Sequence, residues 1–229
     1  MRKTKIVVPL IIENVSDFEA ISVSDYVSAD VVEWRADFLS VDDILILAPK
    51  VFEKFKNNKI LFTIRTTSEG GNLKISDKKY IQILEEILNF DPDYIDIEYF
   101  SHGRALSALT DFRQKIVLSY HNFDEIPTDL TTRLIKMHGE KTAFVKAAVM
   151  PEHECDVLDL LQITRDLTLE YGENFITMAM GDLGRISRIS GYLTGSCWTF
   201  ASLEKASAPG QIRLAEAEKI LNLLEENLF

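Results

Sequence analysis

A chain of 229 residues, 46% hydrophobic and 27% charged, has the size and balance of one large globular domain, and no Gly/Ser-rich, Pro-rich or low-complexity stretch divides residues 1–229. A formal charge of -11, from 25 basic and 36 acidic side chains, excludes the basic face that nucleic acid or an anionic membrane requires and leaves small molecules as the ligand class. The first apolar run is broken by Pro9 and Glu13, which fits neither a signal peptide nor a membrane span, and Cys155 and Cys197 lack metal or redox spacing, so both are read as reduced thiols of a cytoplasmic protein.

In chain order, a strand is expected over residues 6–11 and a helical stretch over 16–28. A second strand over 31–37 precedes a helix over 41–56, whose first turn suits Asp42 and Asp43. The third strand, 60–65, runs into a polar loop, 66–71, and a helix over 77–89. After the Asp91-Pro92 break come a strand over 94–99 and a helix over 103–112. The fifth and sixth strands, 116–121 and 143–149, are followed by helices over 129–138 and 155–171. The seventh, 175–180, leads to a helix over 186–193. The last strand, 197–201, is separated by the loop 207–211 from a terminal helix reaching about residue 228. Eight strand-then-helix units of about 29 residues predict a (β/α)8 TIM barrel. An open doubly wound sheet is the competing arrangement, but no Gly-rich dinucleotide turn follows the first strand.

Lys146 lies in the middle of the apolar run 143–149. An ammonium buried there needs a counter-charge or must lose its proton, so Lys146 is either a paired or snorkelling side chain or an amine nucleophile. Active sites of such barrels gather at the C-terminal strand ends. Glu33, Arg35 and Asp37 lie there, with Arg65, Glu69, Asp96, Glu98, His121, Met178, Met180, Arg185, Arg188, Ser207 and Gln211. His121 closes the strand beside that of Lys146, which places a proton carrier next to an amine, as Schiff-base chemistry requires. Glu33 and Arg35 share a parity that points both inward. Glu69, Asp96 and Glu98 could orient His121 or pair with arginines. The arginines suggest an anionic substrate, the methionines suggest packing, and no metal spacing is found.

Together these residues resemble the type I 3-dehydroquinate dehydratases, Schiff-base enzymes of the shikimate pathway. The resemblance is carried by Glu33-Trp34-Arg35-Ala36-Asp37, Thr63-Ile64-Arg65 with Glu69-Gly70-Gly71, Asp96-Ile97-Glu98, Ser119-Tyr120-His121-Asn122-Phe123, Lys146, Met178-Ala179-Met180-Gly181 with Ser187-Arg188, and Ala206-Ser207-Ala208-Pro209-Gly210-Gln211. It implies a homodimeric barrel without metal or cofactor that eliminates water from 3-dehydroquinate to give 3-dehydroshikimate. Lys146 would form the imine, His121 would move the proton, and Glu69, alone or with Asp96, would orient His121. Glu33 and Arg35 would meet the ring hydroxyls and Arg188 the carboxylate, with Arg65, Ser207 and Gln211 completing the site. The floor-covering N-terminal hairpin of some members would be short or missing here. A class I aldolase and a non-catalytic metabolite-binding barrel are the alternatives.

Overall fold

A computed structural model describes residues 3–204 and 207–226. Its strands are β1 (Lys5–Ile11), β2 (Val31–Arg35), β3 (Ile60–Thr63), β4 (Tyr94–Glu98), β5 (Ile116–Asn122), β6 (Phe144–Val149), β7 (Phe175–Ala179) and β8 (Trp198–Ser202). A two-residue β9, Ile212–Arg213, runs beside the end of β8. Every pairing is parallel, in the order β7-β6-β5-β4-β3-β2-β1-β8-β9. The barrel closes between β7 and β8, where Cys197 N–H donates to Phe175 O at 2.9 Å. Ser196 completes the seam: its Oγ accepts from Thr177 N–H at 3.0 Å and donates to Thr177 O at 3.1 Å.

Helices α1 (Val41–Lys54), α2 (Asp77–Leu88), α5 (Leu130–His138), α6 (Glu154–Tyr171) and α8 (Leu214–Glu225) form the outer layer, with the short α3 (Tyr99–His102), α4 (Ala105–Ala108) and α7 (Gly191–Thr194) between them. Strand alternation divides the core in two. Ile6, Val8, Leu10, Trp34, Phe62, Ile97 and Leu118 point outward onto Leu47, Ile83, Leu134 and their helix neighbours. Val7, Val31, Leu61, Val117, Ile176, Trp198 and Phe200 fill the interior. At the floor Tyr94, Phe144 and Trp198 meet in one aromatic cluster, with ring centroids 4.5–5.6 Å apart. Serine side chains start two of the long helices: Ser40 Oγ accepts from Asp43 N–H, and Ser76 Oγ from Lys79 N–H.

Three expected helices take other forms. Residues 16–28 make two short 3-10 helices, Val15–Ala20 and Val23–Tyr26, separated by extended Ile21 and Ser22. The stretch is rich in β-branched, Ser and Asp residues that compete with a continuous helix, and each short helix has one aromatic to bury, Phe18 and Tyr26. Residues 103–112 break at Leu109, which ends α4 and opens the 3-10 helix Thr110–Lys115, while Tyr99, expected at the end of a strand, opens α3. Residues 186–193 divide into the 3-10 helix Leu183–Arg188 and α7. The turn packs so tightly that a Cβ at Gly184 would stand 2.3 Å from Ala179 O. The expected end of the terminal helix near 228, and Ala206, lie outside the described residues.

Candidate active site

The inward parity of β2 to β6 delivers one or two polar groups from each strand to the C-terminal mouth of the barrel. Glu33, Arg35, Arg65, His121, Lys146, Arg188, Ser207 and Gln211 line a single pocket there, with Gly70, Phe123, Ala148, Met178, Met180, Phe200 and Ala208. Glu69 lies just behind His121. A wider cleft of about 800 Å³, near Pro9, Tyr26 and Leu214, is lined by none of these groups, and none of its charged side chains is buried.

Lys146 is 3% exposed and held by charge. Its Nζ is 3.1 Å from Asp96 Oδ2 and 3.6 Å from Glu33 Oε1, and lies 4.5 Å from the centre of the Phe200 ring. Thr63 Oγ1 donates to the same Glu33 oxygen at 3.1 Å. Asp96 Oδ1 accepts from Arg65 at 2.8 Å and from Ser119 Oγ at 2.6 Å. Burial raises the Asp96 carboxyl, but Arg65 and Lys146 outweigh it and hold the group below the usual carboxylate range. Arg65 also bonds Glu98 at 2.8 Å and approaches Glu69 at 3.5 Å. Burial opposes its charge, and the surrounding carboxylates more than compensate. The resemblance's suggestion that Asp96 shares in holding His121 is corrected here: Asp96 serves Lys146, Arg65 and Ser119, and Glu69 holds the histidine.

Glu69 Oε2 accepts from the His121 backbone N–H at 3.0 Å and lies 2.9 Å from ring Nδ1. The other ring nitrogen, Nε2, is left for the pocket. Burial, reinforced by Arg65, Lys146 and Arg35, pushes the imidazole well below the ordinary histidine value, so the ring is neutral. Burial also lifts the Glu69 carboxyl to about 8, with Arg65 lowering it and Glu98 and Asp96 raising it. The Glu69–His121 contact is therefore a hydrogen bond within a largely uncharged pair.

Arg35 is gripped by Asp37 through two bonds, 2.7 and 2.9 Å, and Asn72 donates to the same carboxylate from its backbone and side chain. Arg188 is different. It is 2% exposed, and its contacts are Met178 Sδ at 3.6 Å and Pro209 O at 2.9 Å, with buried Nε unpartnered. Burial lowers it to about 10, and among the described residues no carboxylate forms an ion pair with it. The Pro209 bond ties the loop 207–211 over the pocket, and Ser207 and Gln211 brace that loop through two bonds of 2.7 and 2.9 Å. Gly210, at φ +76°, lets it press onto Gly181: a Cβ there would lie 2.2 Å from Gly181 O.

A family model for type I 3-dehydroquinase matches residues 6–228. The chain belongs to the type I 3-dehydroquinase family. Over 228 residues it is 73% identical to a 3-dehydroquinate dehydratase of Lactococcus lactis subsp. cremoris, covering 100% of both chains. The dehydratase of Streptococcus equi subsp. zooepidemicus is 48% identical over 96% of this chain and 98% of its own. The fold superposes on the type I 3-dehydroquinate dehydratase of Clostridium difficile, crystallised with covalently modified comenic acid, with a TM-score of 0.89 and 32% identity over 100% of this chain and 94% of that one.

All nine expected site residues thus converge, eight at the pocket wall and Glu69 against His121. Arg185 pairs with Asp182 at the surface and does not line the pocket. The other histidines stand elsewhere: His102 on Asp77, His138 against Tyr171 and Phe175, and His153 at the start of α6. Sequence reasoning gave no role to Phe200, whose parity with Trp198 was the available signal, nor to Ser101, which donates to Glu69 Oε1 at 3.1 Å and carries no signal in the sequence.

Proposed function

We propose that the chain is a 3-dehydroquinate dehydratase working through an imine on Lys146. The observation that carries this reading is the meeting, in one pocket, of an amine, a neutral histidine held by a carboxyl group and an arginine with no ion-pair partner among the described residues. Lys146 lends a proton to its carboxylate cage and attacks the substrate ketone; the proton returns to the carbinol oxygen, which leaves as water and gives the iminium. His121 Nε2 takes a proton from the carbon next to the iminium, and the electron pair forms an enamine. The enamine expels the β-hydroxyl, to which the histidine returns its proton, so water leaves. Hydrolysis of the imine consumes one water and releases 3-dehydroshikimate and the amine, and the net change is loss of one water.

Arg188 receives the substrate carboxylate, Glu33 and Arg35 the ring hydroxyls, and Arg65, Ser207 and Gln211 complete the enclosure. No metal or cofactor takes part in this scheme. The resemblance also supports a homodimer acting in the cytoplasm; in the described residues no helix is long and apolar enough to cross a membrane.

Borohydride trapping with 3-dehydroquinate, followed by peptide mass spectrometry, tests the reading. The expected result is a reduced adduct on Lys146 and loss of both adduct and turnover in Lys146→Ala. Turnover that survives in that variant would overturn the imine.

A further inference from the structure

Glu69 has two oxygens with different company. Oε2 accepts from the backbone N–H of His121 and lies beside ring Nδ1, while Oε1 meets Ser101 Oγ at 3.1 Å, from α3 just beyond the end of β4. A protonated carboxyl must place its hydrogen on one of them. On Oε2 it points at Nδ1, which must then be the bare nitrogen, so the ring hydrogen moves to Nε2. On Oε1 it points at the serine hydroxyl, Nδ1 keeps its hydrogen, and Nε2 keeps its lone pair. A hydroxyl can serve either state, donating to the carboxylate or accepting from the acid.

We infer that Ser101 is a positioning residue of the reaction proposed above: it takes up the Glu69 proton on Oε1 and so keeps His121 in the tautomer whose Nε2 is the base. The inference rests on that proposed reaction. The groups facing Glu69 are Arg65 from the end of β3, His121 from β5, Ser101 from α3, and Asp96 and Glu98 from β4. With Glu69 lifted to about 8, the protonated state is the common one near neutrality, which is where the hydroxyl matters. Without it the hydrogen must use Oε2, and the ring presents N–H to the substrate.

The test measures kcat and KM for 3-dehydroquinate from about pH 6 to about pH 9.5 in the parent, Ser101→Ala, Ser101→Gly and Ser101→Thr, with borohydride trapping of each. Ser101→Ala and Ser101→Gly should lose about 10-fold or more in kcat at neutral pH with KM within about 2-fold, still trap on Lys146, and approach the parent above the Glu69 ionisation. Ser101→Thr should restore the parent profile. A ratio to parent that is constant with pH, or no loss at all, would overturn the inference while leaving the imine standing. A parent that neither turns over nor traps would remove the underlying reading and this inference with it.

Discussion

Lys146 and Arg65 divide one carboxylate: Asp96 gives Oδ2 to the lysine at 3.1 Å and Oδ1 to the arginine at 2.8 Å. Asp37 does the same kind of work for Arg35. Burial raises both carboxyls, yet their cations hold each below the usual range in the folded chain.

The sign of the stability effect follows from that depression. An acid with a folded value below its unfolded one stabilises the fold above the unfolded value, near 4, and the contribution vanishes as pH falls through the folded value. Urea unfolding should therefore show a loss of about 1–3 kcal/mol per group as pH drops below about 4. Asp37→Asn should lower stability at neutral pH and flatten that acid slope; an unchanged slope would contradict the pairing.

His121 is neutral well into acid because its surroundings are buried and cationic. The acid limb of kcat/KM should accordingly fall below the ordinary histidine value of about 6.5. A limb at or above that value would show that the pocket does not hold the histidine neutral into acid.

Arg188 is a buried guanidinium with no ion-pair partner among the described residues. Arg188→Leu should raise KM for 3-dehydroquinate roughly 10- to 100-fold, the loss of one buried ion pair of about 1.4–2.8 kcal/mol, with a smaller effect on kcat. The same change should leave the unfolding midpoint of the free protein equal or higher, since an unmatched buried charge has been removed. Calorimetry without substrate reads this directly, and a marked drop in midpoint would assign Arg188 a structural role.

Phe200 presents its ring 4.5 Å from Lys146 Nζ. A positive iminium at that nitrogen would keep the attraction, so Phe200→Leu should slow turnover roughly 2- to 30-fold and lower the yield of trapped adduct. Parent-like trapping and rate would reduce the ring to a wall of the pocket.

The barrel was legible because its strands are short apolar runs separated by helical periodicity, and the site was legible because parity alone aims Glu33, Arg35 and Lys146 inward. What escaped depended on the stagger between strands. Asp96 is in register with Val117, and Lys146 with Ser119 two residues further along β5, yet the tilt of the strands brings the two charges together. No reading of separate strands supplies that offset. The stretch 16–28 escaped for a local reason, since two aromatics each needed only a short helix to reach the core.

The pairing of β1 with β8 has a consequence for how the chain is made. Lys5 is matched to Trp198, so at about 5–20 residues per second the first strand is synthesised roughly 10–40 s before its neighbour exists. Until then the β8 side of β1 has no partner strand, and its backbone groups are those of a sheet edge. Lys5 N–H bonds toward β8, and Pro9, of the same parity, aims at that side the one backbone nitrogen that cannot donate; the ladder to β8 ends two residues earlier, at Val7. Pro9 thus removes one donor from that side of β1 at a place where the finished barrel asks for no ladder bond to β8.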